Sequence, residues 1–441
     1  MTLTLELIVL LAAIAIGARV GGVGMGLWGG VGLAVLVFLF GEKPGSIPGD
    51  VLLIILTVIM AASAMEAAGG IDYLVQIASR IIRKSPRHVT IVAPLVAYVF
   101  TFLSGTGHVF YPLLPVIYEV AMKGRVRPER PIAVATIASQ QAITASPVSA
   151  ATAALIAILG SKGIGLPSIL MICVPSTLLG VIIAALIQTR VGVELDVDPE
   201  YLRRVAAGEI EEPKGSLDDA APAMLPKRAG ASAYMFLAGV AVVVCCGLFP
   251  SLRTVGPADA PTTISMPMTI AIVMFTVAAL MISFTTAKVD HIVKTKTCQA
   301  GLTAVIGILG LAWLGDTFIN ANREVLIGGL SRMAEAYPAL FSVGLFATSM
   351  LLYSQAATTQ TLMPLGVTLG IAPASLAGMF PAVNGYFFIP TYGTLIAAVN
   401  FDRSGTTRIG RYVINHSFML PGLVSTVVAV ATGLTIARFF F

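Results

Sequence analysis

The chain alternates long apolar segments with short polar turns over most of its length. Apolar stretches cover residues 3–18, 22–41 and 51–68 before the first strongly charged segment. Each approaches or reaches the roughly 18 to 20 residues that a helix needs to cross a bilayer. Further apolar stretches follow at residues 166–189, 233–249, 264–285, 298–320 and 412–438. The pattern predicts an all-α polytopic membrane protein.

One apolar stretch, residues 89–122, is interrupted in its middle by the polar sequence SGTGH, from Ser104 to His108. Hydrocarbon cannot satisfy the free N–H and C=O groups of such a break, so these groups must face protein or a water-filled cavity. In transporters, breaks of this kind mark binding sites near the bilayer midplane. We call residues 89–122 the first hairpin and predict that it dips into the membrane and returns.

The next helix, residues 131–160, has an interruption of its own in the sequence ITASPVS. Pro147 has no backbone N–H and clashes with the preceding turn, so the helical hydrogen bonds cannot continue through it. Ser146 and Ser149 flank this proline on either side. The sequence therefore predicts a broken helix whose unwound segment is lined by hydroxyl groups.

The second half of the chain repeats this order of elements. Residues 339–370, the second hairpin, again read as apolar helix, polar break and apolar helix, with the break at residues 353–360. Residues 373–400 again form a broken span, interrupted at residues 383–391. The order of elements recurs although the residues hardly do, which is how transporter repeats usually appear in sequence.

An amphipathic segment precedes each hairpin. Residues 71–84, IDYLVQIASRIIRK, place apolar side chains every three or four positions with charges between them, and residues 324–337 occupy the corresponding place in the second half. Such a segment is typical of a helix that lies along the membrane interface. We therefore expect a first repeat at residues 1–190, a cytoplasmic linker at 191–231 and a second repeat at 232–441.

Positively charged residues indicate how the two repeats are oriented. If the chain starts in the periplasm and each hairpin returns to its own side, most of the 27 Lys and Arg residues fall in cytoplasmic loops. Counting either hairpin as a full crossing would mix the two sides and lose this asymmetry. The sequence thus predicts inverted repeats, with the first hairpin inserting from the cytoplasm, the second from outside, and both termini in the periplasm.

Composition agrees with this class of protein. Apolar residues make up 57% of the chain, charged residues only 11%, and the mean hydropathy is +0.91, whereas a soluble domain is about 25% charged. The net charge of +5 arises in the loops, so it indicates membrane topology and no nucleic-acid partner. The four cysteines show neither disulfide nor metal-ligand spacing. No metal site is expected.

The four polar breaks suggest the chemistry of the ligand. Broken helices present free N–H groups and the positive ends of helix dipoles, which favour anions. Hydroxyl and amide groups add donors without burying an unpaired charge, and none of the breaks contains Lys or Arg. Two opposed tips suit a solute with a carboxylate at each end. A simpler alternative is that the hydroxyls only satisfy the backbone at the kinks.

We predict that each end of the cavity holds one carboxylate. The candidate residues for the first carboxylate are Ser104, Gly105, Thr106, Gly107, His108, Ser146 and Ser149. The candidates for the second are Ser354, Thr358, Thr359, Asn384 and Thr391.

Several long runs resemble the Dcu family of anaerobic C4-dicarboxylate transporters. These runs are GARVGGVGMGLWGGVGLAVLVFLFG, SGTGHVFYPLLPVIYEVA, RPERPIA, ITASPVS and PTYGTLIAAVNFDRSGTTRIGRYVINHSFMLPG. The resemblance covers essentially the whole chain. It implies exchange or uptake of fumarate, malate, succinate and aspartate across a bacterial inner membrane, and a homodimer with scaffold and transport domains that moves by an elevator mechanism.

The same resemblance extends to divalent-anion/sodium symporters, whose hairpin tips carry Ser-Asn-Thr. Here the first tip reads Ser104-Gly105-Thr106, with glycine in place of asparagine, and the second tip around Ser354 departs further. The resemblance therefore implies carboxylate sites more strongly than sodium sites. No cofactor is expected, and either Na⁺ or H⁺ is open as the coupling ion.

A few ionisable residues within or beside the apolar segments have alternative interpretations. His108 can titrate near neutral pH or donate to a carboxylate, and a capping role is equally consistent with its position. Glu66 and Asp316 are open between a proton site and an interfacial or structural role. Glu119 is predicted to pair with Lys123 four residues later on the same helix.

Other functions are also open for a membrane protein with these features, and they differ in what the sequence would have to contain. An anion channel, or a transporter of another small organic anion, would share the polar breaks. A membrane enzyme would need a catalytic cluster, and the sequence has no HExxH, GxSxG or P-loop pattern. A membrane sensor kinase is open as a partner through residues 191–230 or 401–411. Within the second segment we interpret Asp402 and Arg403 as the solvated start of a loop.

Overall fold

The computed structural model describes most of the chain. The described residues are 2–20, 23–47, 49–210, 225–257, 259, 261–322, 338–352, 354–389, 392–410 and 415–441. Nearly all of them lie in helices or in the short turns between helices, and the only strands within these ranges are the two-residue β1 (Thr254–Val255) and β2 (Thr262–Thr263). The prediction of a helical chain is confirmed.

The described part of the first half and of the start of the linker contains ten helices. They are α1 (Thr2–Val20), α2 (Gly24–Ala34, continued by a π-helical turn at Val35–Leu39), α3 (Gly49–Ala67), α4 (Gly70–Arg83), α5 (Val89–Ser104), α6 (Leu114–Lys123), α7 (Glu129–Ala145), α8 (Ala150–Leu159), α9 (Leu166–Gln188) and α10 (Pro199–Ala206). Short 3₁₀ turns cover Pro86–His88, Gly107–Leu113, Gly160–Lys162 and Leu195–Val197.

The described part of the second half contains nine helices. They are α11 (Ala229–Leu248), α12 (Met266–Phe284), α13 (Val289–Ile292), α14 (Lys296–Ala321), α15 (Pro338–Leu352), α16 (Gln355–Thr368), α17 (Pro373–Met379), α18 (Gly393–Phe401) and α19 (Met419–Phe440). The 3₁₀ turns lie at Pro250–Arg253 and Phe380–Phe387.

Seven stretches of the described chain are long and apolar enough to cross a membrane, and a bent helix pair would make an eighth. These stretches are Pro86–Ser104, Glu129–Lys162, Leu166–Gln188, Ala229–Leu248, Met266–Phe284, Lys296–Ala321 and Met419–Phe440. Shorter apolar helices such as Leu3–Gly17 and Gly26–Leu39 add to them. The chain is a multi-pass membrane protein, as its hydropathy predicts.

The predicted amphipathic segment of the first half is helix α4. It turns 73° away from α3 at Gly69, whose φ of +80° is costly for residues with a side chain. One face of α4, including Ile71, Leu74 and Ile82, is buried, and it packs on α5 and α11. The helix is therefore confirmed. Its predicted counterpart at residues 324–337 lies outside the described residues.

The two ends of the first hairpin lie close together. Helix α5 ends at Ser104, and after a 3₁₀ turn helix α6 runs back. At the base, a Cβ on Gly124 would lie only 2.8 Å from the carbonyl oxygen of Pro86. A salt bridge of 2.8 Å also joins Arg83, just before the hairpin, to Glu119 near its end. The two ends of this segment therefore lie side by side.

The second hairpin also closes on itself. Near the start of α15, the ring of Phe341 lies 2.9 Å from where a Cβ on Gly366 would stand, and Gly366 is close to the end of α16. The break between the two helices is shorter than the predicted 353–360, because α16 already begins at Gln355. The Ser354 hydroxyl caps this helix by accepting a hydrogen bond from the backbone N–H of Ala357.

Helix α9 is contacted at its two ends by the helices that follow the two hairpins. Helix α17, which follows the second hairpin, touches the first third of α9, where the Cys173 Sγ lies 3.6 Å from the carbonyl oxygen of Ala377. Helix α7, which follows the first hairpin, starts beside the end of α9, where Arg130 donates to the carbonyl oxygens of Val191 and Gly192. The elements that follow the two hairpins therefore contact opposite ends of α9.

A buried charged cluster holds the base of the first hairpin. Arg127 pairs with Glu129 at 2.7 Å and with Asp198, and all three side chains are at most 8% exposed. The Ser417 hydroxyl donates to the second carboxylate oxygen of Glu129 at 2.6 Å. Asp198 also caps α10, so the beginning of the predicted linker is packed onto the helices rather than being a free connection.

The interpretation of Asp402 as a solvated residue is wrong. Its side chain is only 2% exposed, and it accepts hydrogen bonds from the hydroxyls of Ser404 and Thr406 and from the backbone N–H of Thr407. These donors are supplied by the loop that follows, which wraps around the carboxylate. The Thr406 hydroxyl in turn accepts from the backbone N–H of Glu129. This loop therefore joins the charged cluster.

Candidate functional site

The tips of the two hairpins and the breaks of the two following helices meet at one cavity of about 240 Å³. Its polar lining comes from both halves of the chain. From the first half come Ser104, Gly105, Thr106, Gly107, Tyr111, Gln140 and Ser149. From the second half come Thr297, Ser354, Gln355, Tyr386, Tyr392 and Thr394.

The first tip depends on glycine. Gly105 has a φ of +71°, and a Cβ there would lie 2.8 Å from the carbonyl oxygen of Val148 in the neighbouring break. A side chain would therefore be strained by its backbone and would also collide with that break. The Ser104 hydroxyl donates to the carbonyl oxygen of Thr106 at 3.2 Å, which satisfies one backbone group of the tip.

The break between α7 and α8 is held by Ser149. Its hydroxyl donates to the carbonyl oxygen of Ile143 at 2.6 Å and accepts from the backbone N–H of Thr152 at 3.1 Å. It thus bonds to the end of one half-helix and caps the start of the next. Ser146 is fully buried and accepts a bond from the N–H of Val148.

A chain of side-chain amides links the two halves beside the cavity. The Gln355 Nε2 donates to the backbone oxygen of Gln140 at 3.0 Å and to the Asn384 Oδ1 at 2.5 Å. The Asn384 Nδ2 donates to the Gln141 Oε1 at 3.1 Å. Helix α16 and the broken segment after α17 are in this way bonded directly to α7.

The start of α18 offers hydrogen-bond donors to the cavity. Tyr392 occupies the N-cap position but its side chain makes no cap hydrogen bond. The Thr394 hydroxyl and the Tyr386 phenol are both buried and have no hydrogen-bond partner among the described residues. The Tyr386 ring packs on that of Tyr392, with 4.7 Å between the centroids. A helix N-terminus flanked by two unused hydroxyls is suited to an anion.

The opposite wall of the cavity is apolar. Helix α3 contributes Ile54, Ile55, Val58 and Ile59, and helix α14 contributes Gly301 beside Thr297. A Cβ on Gly301 would lie 2.2 Å from Ile59, so the two helices pack closely there. Apart from Thr297, whose buried hydroxyl has no hydrogen-bond partner among the described residues, the polar lining comes from the hairpin tips and broken helices.

None of the described side chains that line this cavity is ionisable as Asp, Glu, Lys or Arg. An anion in it would be held by hydroxyls, amides and helix N-termini. Within the described ranges, no three His, Cys, Asp or Glu side chains are grouped so as to hold a metal ion.

The predicted site residues fall into three groups. Those that line the cavity are Ser104, Gly105, Thr106, Gly107, Ser149 and Ser354. Those that are buried next to it without lining it are Ser146, Thr358, Thr359 and Asn384. The side chain of His108 and all of Thr391 lie outside the described residues.

Thr358 and Thr359 were expected in the break but lie inside helix α16. Their hydroxyls donate to the carbonyl oxygens of Ser354 and Gln355, four residues earlier in each case. This back-bonding satisfies the hydroxyls within the helix. Sequence analysis also missed lining residues, namely Tyr111, Gln140, Gln355, Tyr386, Tyr392 and Thr394. Polar side chains inside apolar spans were the available signal for several of them.

The ionisable candidates have structural partners. The Glu66 carboxylate accepts from the backbone N–H groups of Lys296 and Thr297, at the start of α14. The Asp316 carboxylate accepts from the N–H of Ser46 at 2.6 Å. The predicted pair of Glu119 and Lys123 is confirmed at 2.9 Å. Each of these carboxylates binds another element of the fold.

Comparison with known proteins identifies the family. A family model described as an anaerobic C4-dicarboxylate membrane transporter matches residues 2–441. The chain belongs to this family. It is 42% identical over 435 residues to the C4-dicarboxylate transporter DcuA of Wolinella succinogenes, covering 99% of both chains. It is 40% identical to DcuA of Escherichia coli K12 over 438 residues, again with 99% coverage of both. The resemblance inferred from the sequence is thus confirmed, and the chain is a membrane transporter rather than an enzyme.

Two further similarities extend this result. The anaerobic C4-dicarboxylate transporter DcuB of Escherichia coli O6:H1 is 38% identical over 446 residues, covering 100% of this chain and 99% of that protein. Among solved structures, the YdaH transporter of Alcanivorax borkumensis aligns with a TM-score of 0.56 over 92% of this chain and 88% of that one, at 14% identity. The latter likeness concerns the fold alone.

Proposed function

We propose that this chain is a secondary transporter that moves C4-dicarboxylates, namely fumarate, succinate, malate and aspartate, by exchange or ion-coupled uptake. The observation that carries the proposal is the cavity, where polar breaks from both halves of a member of this family converge. Its neutral donors and helix N-termini suit a dianion that has to be released again, because they bind it without a fixed opposite charge.

In this proposal each half of the chain holds one carboxylate. The first-half group consists of Ser104, Gly105, Thr106 and Gly107 with Ser149, which line the cavity together. The second-half group consists of Ser354 and the N-terminus of α18. Asn384 acts indirectly, because it bonds to Gln355 and does not line the cavity. The predicted roles of His108 and Thr391 stay predictions.

We further propose that residues 1–190 and 232–441 are inverted repeats, each with a re-entrant hairpin and a broken helix. The closed hairpin bases and their positions at opposite ends of α9 support this arrangement. Movement of an elevator type, a homodimer with scaffold and transport domains, and an inner-membrane location with periplasmic termini follow from the family resemblance and the charge distribution. Contact with membrane lipid follows from the exposed apolar helices.

The experiment is counterflow in proteoliposomes that contain the purified protein and are loaded with succinate. We expect uptake of labelled fumarate, malate or succinate that requires internal diacid or depends on an imposed sodium or proton gradient. Flux that is independent of both would support an anion channel instead, and uptake of unrelated organic anions only would overturn the substrate class. A pull-down with a membrane sensor kinase tests the partner that was left open.

The variants Thr106→Ala and Gly105→Ala test the site assignment in the same assay. Thr106 lines the cavity, and Gly105 needs a conformation that alanine strains. Both are expected to weaken exchange while the protein is still expressed and inserted. Unchanged uptake in both variants would contradict the assignment of the first tip.

A further inference from the structure

Hydrogen bonds fix the orientation of one amide in the cavity wall. The Gln355 Nε2 donates to two acceptors, the Gln140 backbone oxygen and the Asn384 Oδ1. The Asn384 amide is oriented in turn, because its Nδ2 donates to the Gln141 Oε1 at 3.1 Å and to the Pro381 carbonyl oxygen at 3.2 Å. Turning the Gln355 amide over would set its oxygen against two acceptors, which is unfavourable.

The other atom of this amide is left without a partner. The Gln355 Oε1 is buried and accepts no hydrogen bond from any described residue. The residue is only 9% exposed and lines the cavity. A buried acceptor of this kind costs free energy until a donor reaches it. The donor would have to come from whatever occupies the cavity.

The other unpartnered side-chain groups that line this cavity, among the described residues, are the hydroxyls of Thr297, Tyr386 and Thr394. The Tyr386 phenol and the Thr394 hydroxyl line the same cavity, are 3% and 2% exposed, and can each donate a hydrogen bond. Together with Thr297, these groups favour a ligand that presents acceptors to the hydroxyls and a donor to one amide oxygen. A carboxylate beside a carbon that bears an amino or hydroxyl group has this combination.

We propose that the Gln355 Oε1 accepts a hydrogen bond from the amino or hydroxyl group on C2 of the substrate. The cavity would thereby select 2-amino and 2-hydroxy C4-dicarboxylates, aspartate and malate, over succinate and fumarate, which lack such a donor. The Tyr386 and Thr394 hydroxyls bind the adjacent carboxylate at the N-terminus of α18. This inference rests on the proposed transport of C4-dicarboxylates and makes Gln355 a specificity-determining residue.

The test measures selectivity rather than activity. In the counterflow assay, unlabelled succinate, L-malate, L-aspartate and 2-methylsuccinate compete with labelled substrate. 2-Methylsuccinate has a substituent on C2 but no donor there. We expect the wild type to favour aspartate and malate over succinate by about tenfold or more, as a site that hydrogen-bonds its substrate does. 2-Methylsuccinate should compete no better than succinate.

The variant Gln355→Met removes the acceptor and keeps a side chain of similar length. We expect the ratio of the affinities for aspartate and malate to the affinity for succinate to fall to about one. The affinity for succinate itself should change less than the other two. Gln360→Met is the matched control. Gln360 lies on the same helix, is 5% exposed and also has an unpartnered amide atom, but does not line the cavity. This control should keep the wild-type preference.

Several outcomes would overturn the inference. If Gln355→Met loses affinity equally for all diacids, the residue has a structural role. If the wild type prefers 2-methylsuccinate as well as malate and aspartate, the shape of the C2 substituent rather than a hydrogen bond determines selection. If transport by Gln355→Met no longer depends on sodium while its selectivity among diacids is unchanged, the Gln355 Oε1 binds a cation instead of the substrate. If Gln355→Met fails to fold, the wild-type comparison of malate with 2-methylsuccinate still decides. Failure of the proposed function is distinct, since the wild type would then transport no C4-dicarboxylate at all.

Discussion

The molecule buries polar groups in two regions that follow opposite rules. The cluster at the base of the first hairpin uses full charges, and Arg127, Glu129 and Asp198 satisfy one another within the fold. The cavity at the hairpin tips is lined by neutral groups, and four of them, on Thr297, Gln355, Tyr386 and Thr394, have no hydrogen-bond partner among the described residues. Closed charge pairs fix a structure, whereas open neutral donors and acceptors are available to a ligand.

The difference follows from the strength of the interactions. Removing one member of a buried ion pair leaves an unpaired charge at low dielectric, whereas a single neutral hydrogen bond has a net value of about 1 kcal/mol. A substrate that must bind and leave in every cycle needs bonds of the second kind. Buried ion pairs are better suited to the base of the first hairpin, which has to keep its position.

The largest effect is expected when a charge is removed from the cluster. Arg127→Met would leave Asp198 and Glu129 buried without their cation, at a cost of about 3–5 kcal/mol. Thermal unfolding of the detergent-solubilised protein should show a strongly lowered midpoint. A midpoint within a degree or two of the wild type would mean that the cluster does not hold the base of the hairpin.

Adding a charge to the cavity should have the next largest effect. Thr394→Asp places a carboxylate in the first turn of α18, where it would repel a bound dianion by about 3 kcal/mol at 5 Å for an effective dielectric constant of 20. Uptake should fall by about two orders of magnitude. Thr394→Val removes only one donor and should weaken binding by about fivefold. Equal effects of the two variants would contradict a role for α18 in holding anionic substrate.

A moderate effect is expected from the amide chain that supports the cavity. Asn384→Ala removes the Oδ1 that accepts a hydrogen bond from Gln355 and the Nδ2 that donates one to Gln141. The loss should destabilise this part of the fold by about 1–3 kcal/mol. Exchange should weaken while expression is kept. Asn320→Ala, which changes an exposed asparagine on α14, is the control and should transport as the wild type does.

The smallest effect is expected at the surface of α10. Arg203 and Arg204 bind Glu200 and hold its pKa at about 2, below the ordinary value of 4.5. Because the pKa is lowered, any stabilisation is present above pH 4.5 and is lost only as the pH falls toward 2. The Arg203 side chain is 54% exposed, so Arg203→Ala should leave the unfolding midpoint unchanged between pH 6 and 8.

Local sequence was sufficient to place the breaks but not their edges. Proline alone does not end a helix here, since Pro94 and Pro175 lie inside α5 and α9. The clusters of glycine, proline and hydroxyl residues around Gly105 and Pro147 marked the breaks. The N-cap of α16 was harder, because Ser354, Thr358 and Thr359 can all cap a helix. The structure uses Ser354, and packing that the local sequence does not contain decides this choice.

Long-range pairing accounts for most of what was missed. The bond from Gln355 to Gln140 spans 215 positions, and no short motif predicts it. Asp402 is a different case, since its donors lie two to five residues away. A carboxylate followed by three hydroxyl residues can fold its own loop around itself. The charged neighbours in this segment favoured solvation instead, and that interpretation was wrong.

The packing of α2 against α14 determines what the intrinsic fluorescence of this protein can report. The chain has two tryptophans, Trp28 on α2 and Trp313 on α14, and neither lines the cavity. The Trp313 indole donates to the carbonyl oxygen of Gly45 at 2.9 Å. Emission therefore monitors the surroundings of this helix pair, so a spectral change on adding a dicarboxylate would record rearrangement of the protein rather than quenching by the ligand.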